Sequence, residues 1–141
     1  MTMKKLTPNL MVRDIRDSVT FYADALGFEV VALVTETHET ETNLSPGRHY
    51  VWALIRSGPV EIMLQEEKSL REDISALAQT PIGASATVYL ETENLEALHG
   101  RIRERVEIVK DLEVSWYGMK ELYVRDRDGY ILALAEPSKG L

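Results

Sequence analysis

An α+β fold of two tandem βαβββ units, forming curved mixed sheets around a cleft, is what this chain predicts, and three observations predict it. Segments of strand period and helix period follow one another as strand, helix, three strands. That order restarts after a stretch containing Pro and Gly. The two starts also superimpose under a single shift of 80 positions, which lays Thr92, Glu93, Asn94 and Leu95 under Val12, Arg13, Asp14 and Ile15, and Thr87 under Thr7. So long a period excludes a solenoid and marks an internal duplication.

In the first unit, Leu6 to Val12 alternates Leu6, Pro8, Leu10 and Val12 with Thr7, Asn9 and Met11, a strand with two different faces. Pro8 has no N–H, so this strand has an unpaired edge or an irregularity there. Asp14 offers a carboxylate to a helix over 15–26, whose Ile15, Val19, Tyr22 and Leu26 recur at helical steps until Gly27 ends it. Phe28 to Thr35 is a second strand, and the polar run ETHETETNLSPGR a long loop. HYVWALIRS and VEIMLQ, joined by a Gly58-Pro59 turn, complete the unit. EEKSLREDISALAQTPIGAS places a short helix around Leu70, Ile74 and Leu77 in a linker. In the second unit Ala86 to Glu91 is a strand, and a helix capped near Asn94 carries Leu95, Leu98 and Ile102. VEIVKD, Lys120 to Arg125 and YILALAE are the closing strands, with DRDG as the last turn. The bounds are about 5–66 for unit one, 67–84 for the linker and 85–136 for unit two, within a single domain of residues 1–141.

A chain of 141 residues buries roughly two thirds of its unfolded surface and needs no covalent staples. With 45% hydrophobic and 28% charged residues it reads as a soluble globular protein, not a disordered one. Sixteen Lys and Arg against 23 Asp and Glu give a formal charge of -7, which opposes nucleic acid and anionic membrane as partners. The absence of Cys excludes disulfides, thiolate metal sites and a thiol nucleophile. With no signal peptide read in the N-terminal MTMKKLTPNLMV and no apolar run long enough to span a bilayer, a cytoplasmic location is expected.

MVRDIRDSVTFYADALGFEV, VEIMLQE and ELYVRDRDGYILALAE together resemble the vicinal oxygen chelate superfamily, which includes glyoxalase I, bleomycin resistance proteins, fosfomycin resistance enzymes and extradiol dioxygenases. The resemblance covers almost the whole chain. It implies units curled around a concave pocket, and dimers with sites near the subunit boundary. It also implies, for the metal-dependent members, one divalent ion held by residues of the first and last strand of each unit. Matched position by position, those sites fall on Thr7, Thr87 and Ala133, where His, Gln or Glu is usual, and on Glu61 as the one remaining carboxylate. Threonine hydroxyls stay protonated and ligate poorly, and Ala133 has no donor atom, so no metal or other cofactor is expected. His38, His49 and His99 read as surface or capping residues without a partner at ligand spacing.

Alternation places Asn9 and Met11 beside Thr7, Tyr89 and Glu91 beside Thr87, and Met63 and Gln65 beside Glu61. This make-up suits a small-molecule pocket. Met11 and Met63 serve either core or pocket, as does Trp52. Tyr89 needs a partner for its hydroxyl. Trp116 and Tyr117, in SWYG, stand where the resemblance implies a groove-lining loop, and an exposed aromatic there suits a planar or cationic ligand. Asp126 and Asp128 read as turn residues. The resulting expectation is a homodimeric, metal-free protein resembling the bleomycin resistance members, which sequesters or carries a small organic molecule, cationic or aromatic. The alternative is a lyase, isomerase or dioxygenase with a degenerate metal site or with Glu61 as an acid-base group.

Overall fold

The computed structural model describes residues 1–138, which divide into two compact units, one of residues 1–82 and one from Gly83 onward. Each is built as strand, helix and strands, and each is described by itself.

The first unit contains β1 (Asn9–Val12), α1 (Ile15–Leu26), β2 (Glu29–Thr35), β3 (Thr40–Glu41), β4 (Tyr50–Ser57), β5 (Val60–Glu66) and α2 (Glu67–Asp73). Its sheet has the order β1-β5-β4-β2-β3, with β1 parallel to β5 and the other pairs antiparallel. Helix α1 begins where a carboxylate satisfies an otherwise unpaired amide: Asp14 Oδ1 accepts from the Asp17 N–H at 2.9 Å. It ends at Gly27, whose φ of 73° is a left-handed conformation that costs glycine little. Ile15, Val19, Tyr22 and Ala25 are buried over the sheet face formed by Val12, Leu33, Ala53, Ile55, Ile62 and Leu64. Each large side chain in that layer contributes on the order of 1.5–3 kcal/mol.

Several expectations are corrected here. The first strand starts at Asn9 and not at Leu6, because β1 is the sheet's edge and Pro8 enters the pairing only as an acceptor, from the Met63 N–H at 2.8 Å. Leu6, before the strand, is exposed. The polar loop contains the short strand β3, since a turn at His38, with φ 66°, folds Glu39 back so that its carbonyl accepts from the Thr35 N–H. The helix expected around Leu70, Ile74 and Leu77 is broken: α2 stops at Asp73, Ile74 is extended, and Ser75–Leu77 is a 3-10 turn. Helix α2 belongs to the first unit, packed on β1 and β5 with Leu70 buried.

The second unit contains β6 (Thr87–Glu91), α3 (Leu95–Ile102), β7 (Glu107–Val114), β8 (Met119–Arg125) and β9 (Ile131–Pro137). Its sheet order is β6-β9-β8-β7, with β6 parallel to β9. Leu95 and Ile102 of α3 are buried, as are Leu122, Val124, Leu132 and Leu134 on the sheet. Asn94 precedes the helix but does not cap it, since it is left-handed at φ 54° and its side chain makes no cap hydrogen bond. The carboxylate of Glu136, on β9, takes over: Oε2 accepts from the Asn94 N–H at 2.8 Å and Oε1 from the Leu95 N–H at 3.3 Å. β7 extends beyond the expected VEIVKD to Val114, so Ser115 to Gly118 is the tip of a β7–β8 hairpin. Asp126 plays the turn role read from sequence, its Oδ1 accepting from the Asp128 and Tyr130 N–H groups at 2.9 Å each.

Candidate functional site

Strand pairing decides which side chains share a surface. In the first unit Asn9 pairs with Met63, Met11 with Gln65, Gln65 with Trp52 and Glu61 with Arg56, so these residues project from the sheet face opposite α1. Asn9 Nδ2 donates to Gln65 Oε1 at 2.9 Å, and Gln65 Nε2 donates to Ser69 Oγ at 3.0 Å. Met11 is buried, while Trp52, Met63 and Glu61 are half-buried. Thr7, also half-buried, lies just before β1. Glu61 is ion-paired with Lys5, and its other oxygen is 3.9 Å from Arg56 Nη1.

The same pairings correct one assignment. Under the shift of 80, Asn9 corresponds to Tyr89; Asn9 pairs with Met63 and Tyr89 pairs with Ala133. The first-unit counterpart of Ala133 is therefore Met63, and Glu61 corresponds to Ile131, the partner of Thr87. Glu61, to which sequence matching gave the ligand position, sits two residues along the strand from it. The set becomes Thr7, Met63, Thr87 and Ala133: two alcohols, a thioether and a methyl group.

In the second unit two cross-strand rows share a face. One runs Tyr89, Ala133, Tyr123, Lys110; the next runs Glu91, Ala135, Glu121, Glu113. Ala133 and Ala135 are fully buried beneath their taller neighbours, and Thr87 is exposed at one end of β6. Glu121, only 4% exposed, holds the group together. Its Oε2 accepts from the Tyr89 hydroxyl at 2.6 Å and from the Tyr117 hydroxyl at 2.5 Å. Burial alone would push this carboxyl up, but the bonds from Tyr117 and Tyr89 and the charge of Lys110 outweigh it and hold Glu121 below the ordinary range. Burial, and then the bond to Glu121, push the Tyr89 phenol up. The Lys110 ammonium lies 5.8 Å from the Tyr123 ring centroid and 2.9 Å from Glu113. At the hairpin tip Trp116 is 95% exposed and stands edge-on to Tyr117, with ring centroids 5.3 Å apart.

A cleft of about 650 Å3 opens in the first unit, lined among others by Glu36, His38, His49, Gln65, Glu66 and Ser69. His49 is engaged at both ring nitrogens: Nδ1 is 2.9 Å from Glu36 and Nε2 bonds Glu66. His99 similarly meets Asp111 at 3.0 Å. Among the described residues no group of three or more His, Cys, Asp or Glu is arranged to hold a metal ion, and no helix is long and apolar enough to cross a membrane.

Of the residues singled out from sequence, Asn9, Met11, Trp52, Glu61 and Met63 gather on the first sheet, while Thr87 and Tyr89 share the second. Tyr117 joins Tyr89 at Glu121, and Trp116 reaches only as far as Tyr117. Glu121 and Tyr123 went unrecognised, although Leu122 and Val124 between them gave the alternation that puts both on the polar face.

Two βαβββ units, each with an α-helix on one face of its sheet and a polar, aromatic surface on the other, define a class of paired-module proteins. The family model for the Glyoxalase/Bleomycin resistance protein/Dioxygenase superfamily matches residues 5–134, and the chain belongs to that superfamily. The fold is shared with a protein of unknown function from Agrobacterium tumefaciens, 25% identical, covering 96% of this chain and 95% of that one, with a TM-score of 0.74. It is shared with a superfamily member from Sphaerobacter thermophilus, 21% identical over 96% and 98% of the two chains, TM-score 0.70. TioX from a Micromonospora species is 14% identical over 96% and 99%, TM-score 0.67. No curated protein matches the chain.

Proposed function

We propose that this protein is a metal-free, cytoplasmic, homodimeric member of the superfamily that binds a small organic molecule and acts by sequestering or carrying it. One observation carries the reading. The framework is retained over nearly the whole chain, yet the four positions matched to metal ligands hold Thr7, Met63, Thr87 and Ala133. Neutral hydroxyls and a methyl group do not fit a hard divalent cation, and a thioether suits softer ions than the oxygen-liking ones. Aromatic and methionine side chains on the same faces supply the adaptable apolar walls of ligand pockets. The alternative, a lyase, isomerase or dioxygenase using Glu61, draws less support because that carboxylate is neutralised by Lys5 and flanked by Arg56.

A binding screen tests the proposal. Members of a library of cationic drugs, aromatic diols and thiohemiacetal-like compounds are expected to raise the Tm in proportion to RT ln(1 + [L]/Kd), without added metal and without turnover. Conversion of any such compound that depends on added metal would contradict it.

A further inference from the structure

We propose that the second unit's sheet receives a small organic cation, an alkylated ammonium, on the Tyr123 ring in the place the Lys110 ammonium now holds, with Glu113 and Glu121 of the adjacent row as its counter-ions. This rests on the small-molecule reading and names the ligand class. Ala133 has Tyr89 and Tyr123 as its cross-strand neighbours and is fully covered, so a guest on this face meets tyrosine side chains and not the alanine. The adjacent row adds Glu91, Glu121 and Glu113. Because Tyr89 and Tyr117 spend their hydroxyl protons on Glu121, they offer a guest aromatic surface, not O–H donors. That surface attracts cations through its ring faces. The chain's own Lys110 shows the preference, resting over Tyr123 within reach of Glu113. A primary ammonium is strongly hydrated, whereas an alkylated one sheds water at less cost and competes for the same place. Trp116, exposed at the adjoining hairpin tip, adds a further ring for a larger guest.

Calorimetric titration of the intact protein tests this with benzyltrimethylammonium, choline, the neutral choline isostere 3,3-dimethylbutan-1-ol, and benzenesulfonate. The ammonium ions are expected to bind about tenfold or more tightly than the isostere, and the sulfonate not at all. Glu121→Gln and Tyr123→Leu should each weaken the ammonium by about tenfold. Lys110→Ala, at an exposed position that does not endanger folding, should tighten it about two- to fivefold by removing the resident competitor. Equal affinity for choline and its isostere, or an unchanged affinity in Lys110→Ala, overturns the cation assignment. Binding of the isostere or the sulfonate that Tyr123→Leu abolishes also overturns it while leaving the small-molecule reading intact. Silence from all four probes overturns the assignment too, and the fate of the broader reading then rests on the library screen.

Discussion

His49 stands between two carboxylates, Glu36 and Glu66, and its bonds to Glu66 and then Glu36 raise its pKa above the ordinary imidazole value. A group whose folded pKa is raised stabilises the fold fully below its unfolded pKa and loses that contribution as pH climbs through the folded one. His49→Asn is therefore expected to lower stability most below about pH 6 and progressively less towards pH 9. The side chain is half exposed, so screening keeps the effect under about 1 kcal/mol. Urea unfolding of both proteins across that range checks the slope. At the same scale, the need of the Tyr89 hydroxyl for a partner was legible from sequence, and its identity was not. Glu121 lies 32 residues away, on a strand that β9 separates from β6.

Helices α1 and α3 begin by different means. Asp14 caps α1 from the adjacent position, and the Asp followed by apolar residues at helical spacing announced it, as Gly27 announced the end. Nothing local announces the cap of α3, because Glu136 is 42 residues from Asn94 and reaches it only once β9 has paired with β6. Asp14→Ala and Glu136→Ala should each cost about 1 kcal/mol in urea unfolding. Asn94→Gly, by contrast, should be neutral or stabilising by up to about 1 kcal/mol, since glycine suits the left-handed backbone and no side-chain cap is lost. A loss on Asn94→Gly comparable to that of Asp14→Ala would show that the asparagine is the cap after all. The broken helix near Ile74 escaped sequence reading for a related reason. Its Leu and Ile spacing is helical, but only Leu70 finds a buried place, and Ile74 is exposed.

For the molecule as a whole, the duplication was legible because two strand-to-helix junctions repeat at one fixed shift. The position within the strand was harder. Glu61 and Met63 have the same parity in VEIMLQE, so alternation places both on one face and only the pairing of β5 with β1 tells which one corresponds to Ala133. That two-residue difference replaces the last acid of the presumed ligand set by a thioether. The superfamily is shown by the matched framework, whereas the chemistry lies in what those few positions now carry. The most direct test is the metal content of protein purified without chelator and dialysed against Mn, Ni or Zn. Far less than one ion per chain is predicted, unchanged by Met63→Ala or Glu61→Ala; a stoichiometric ion lost from either variant would contradict the account.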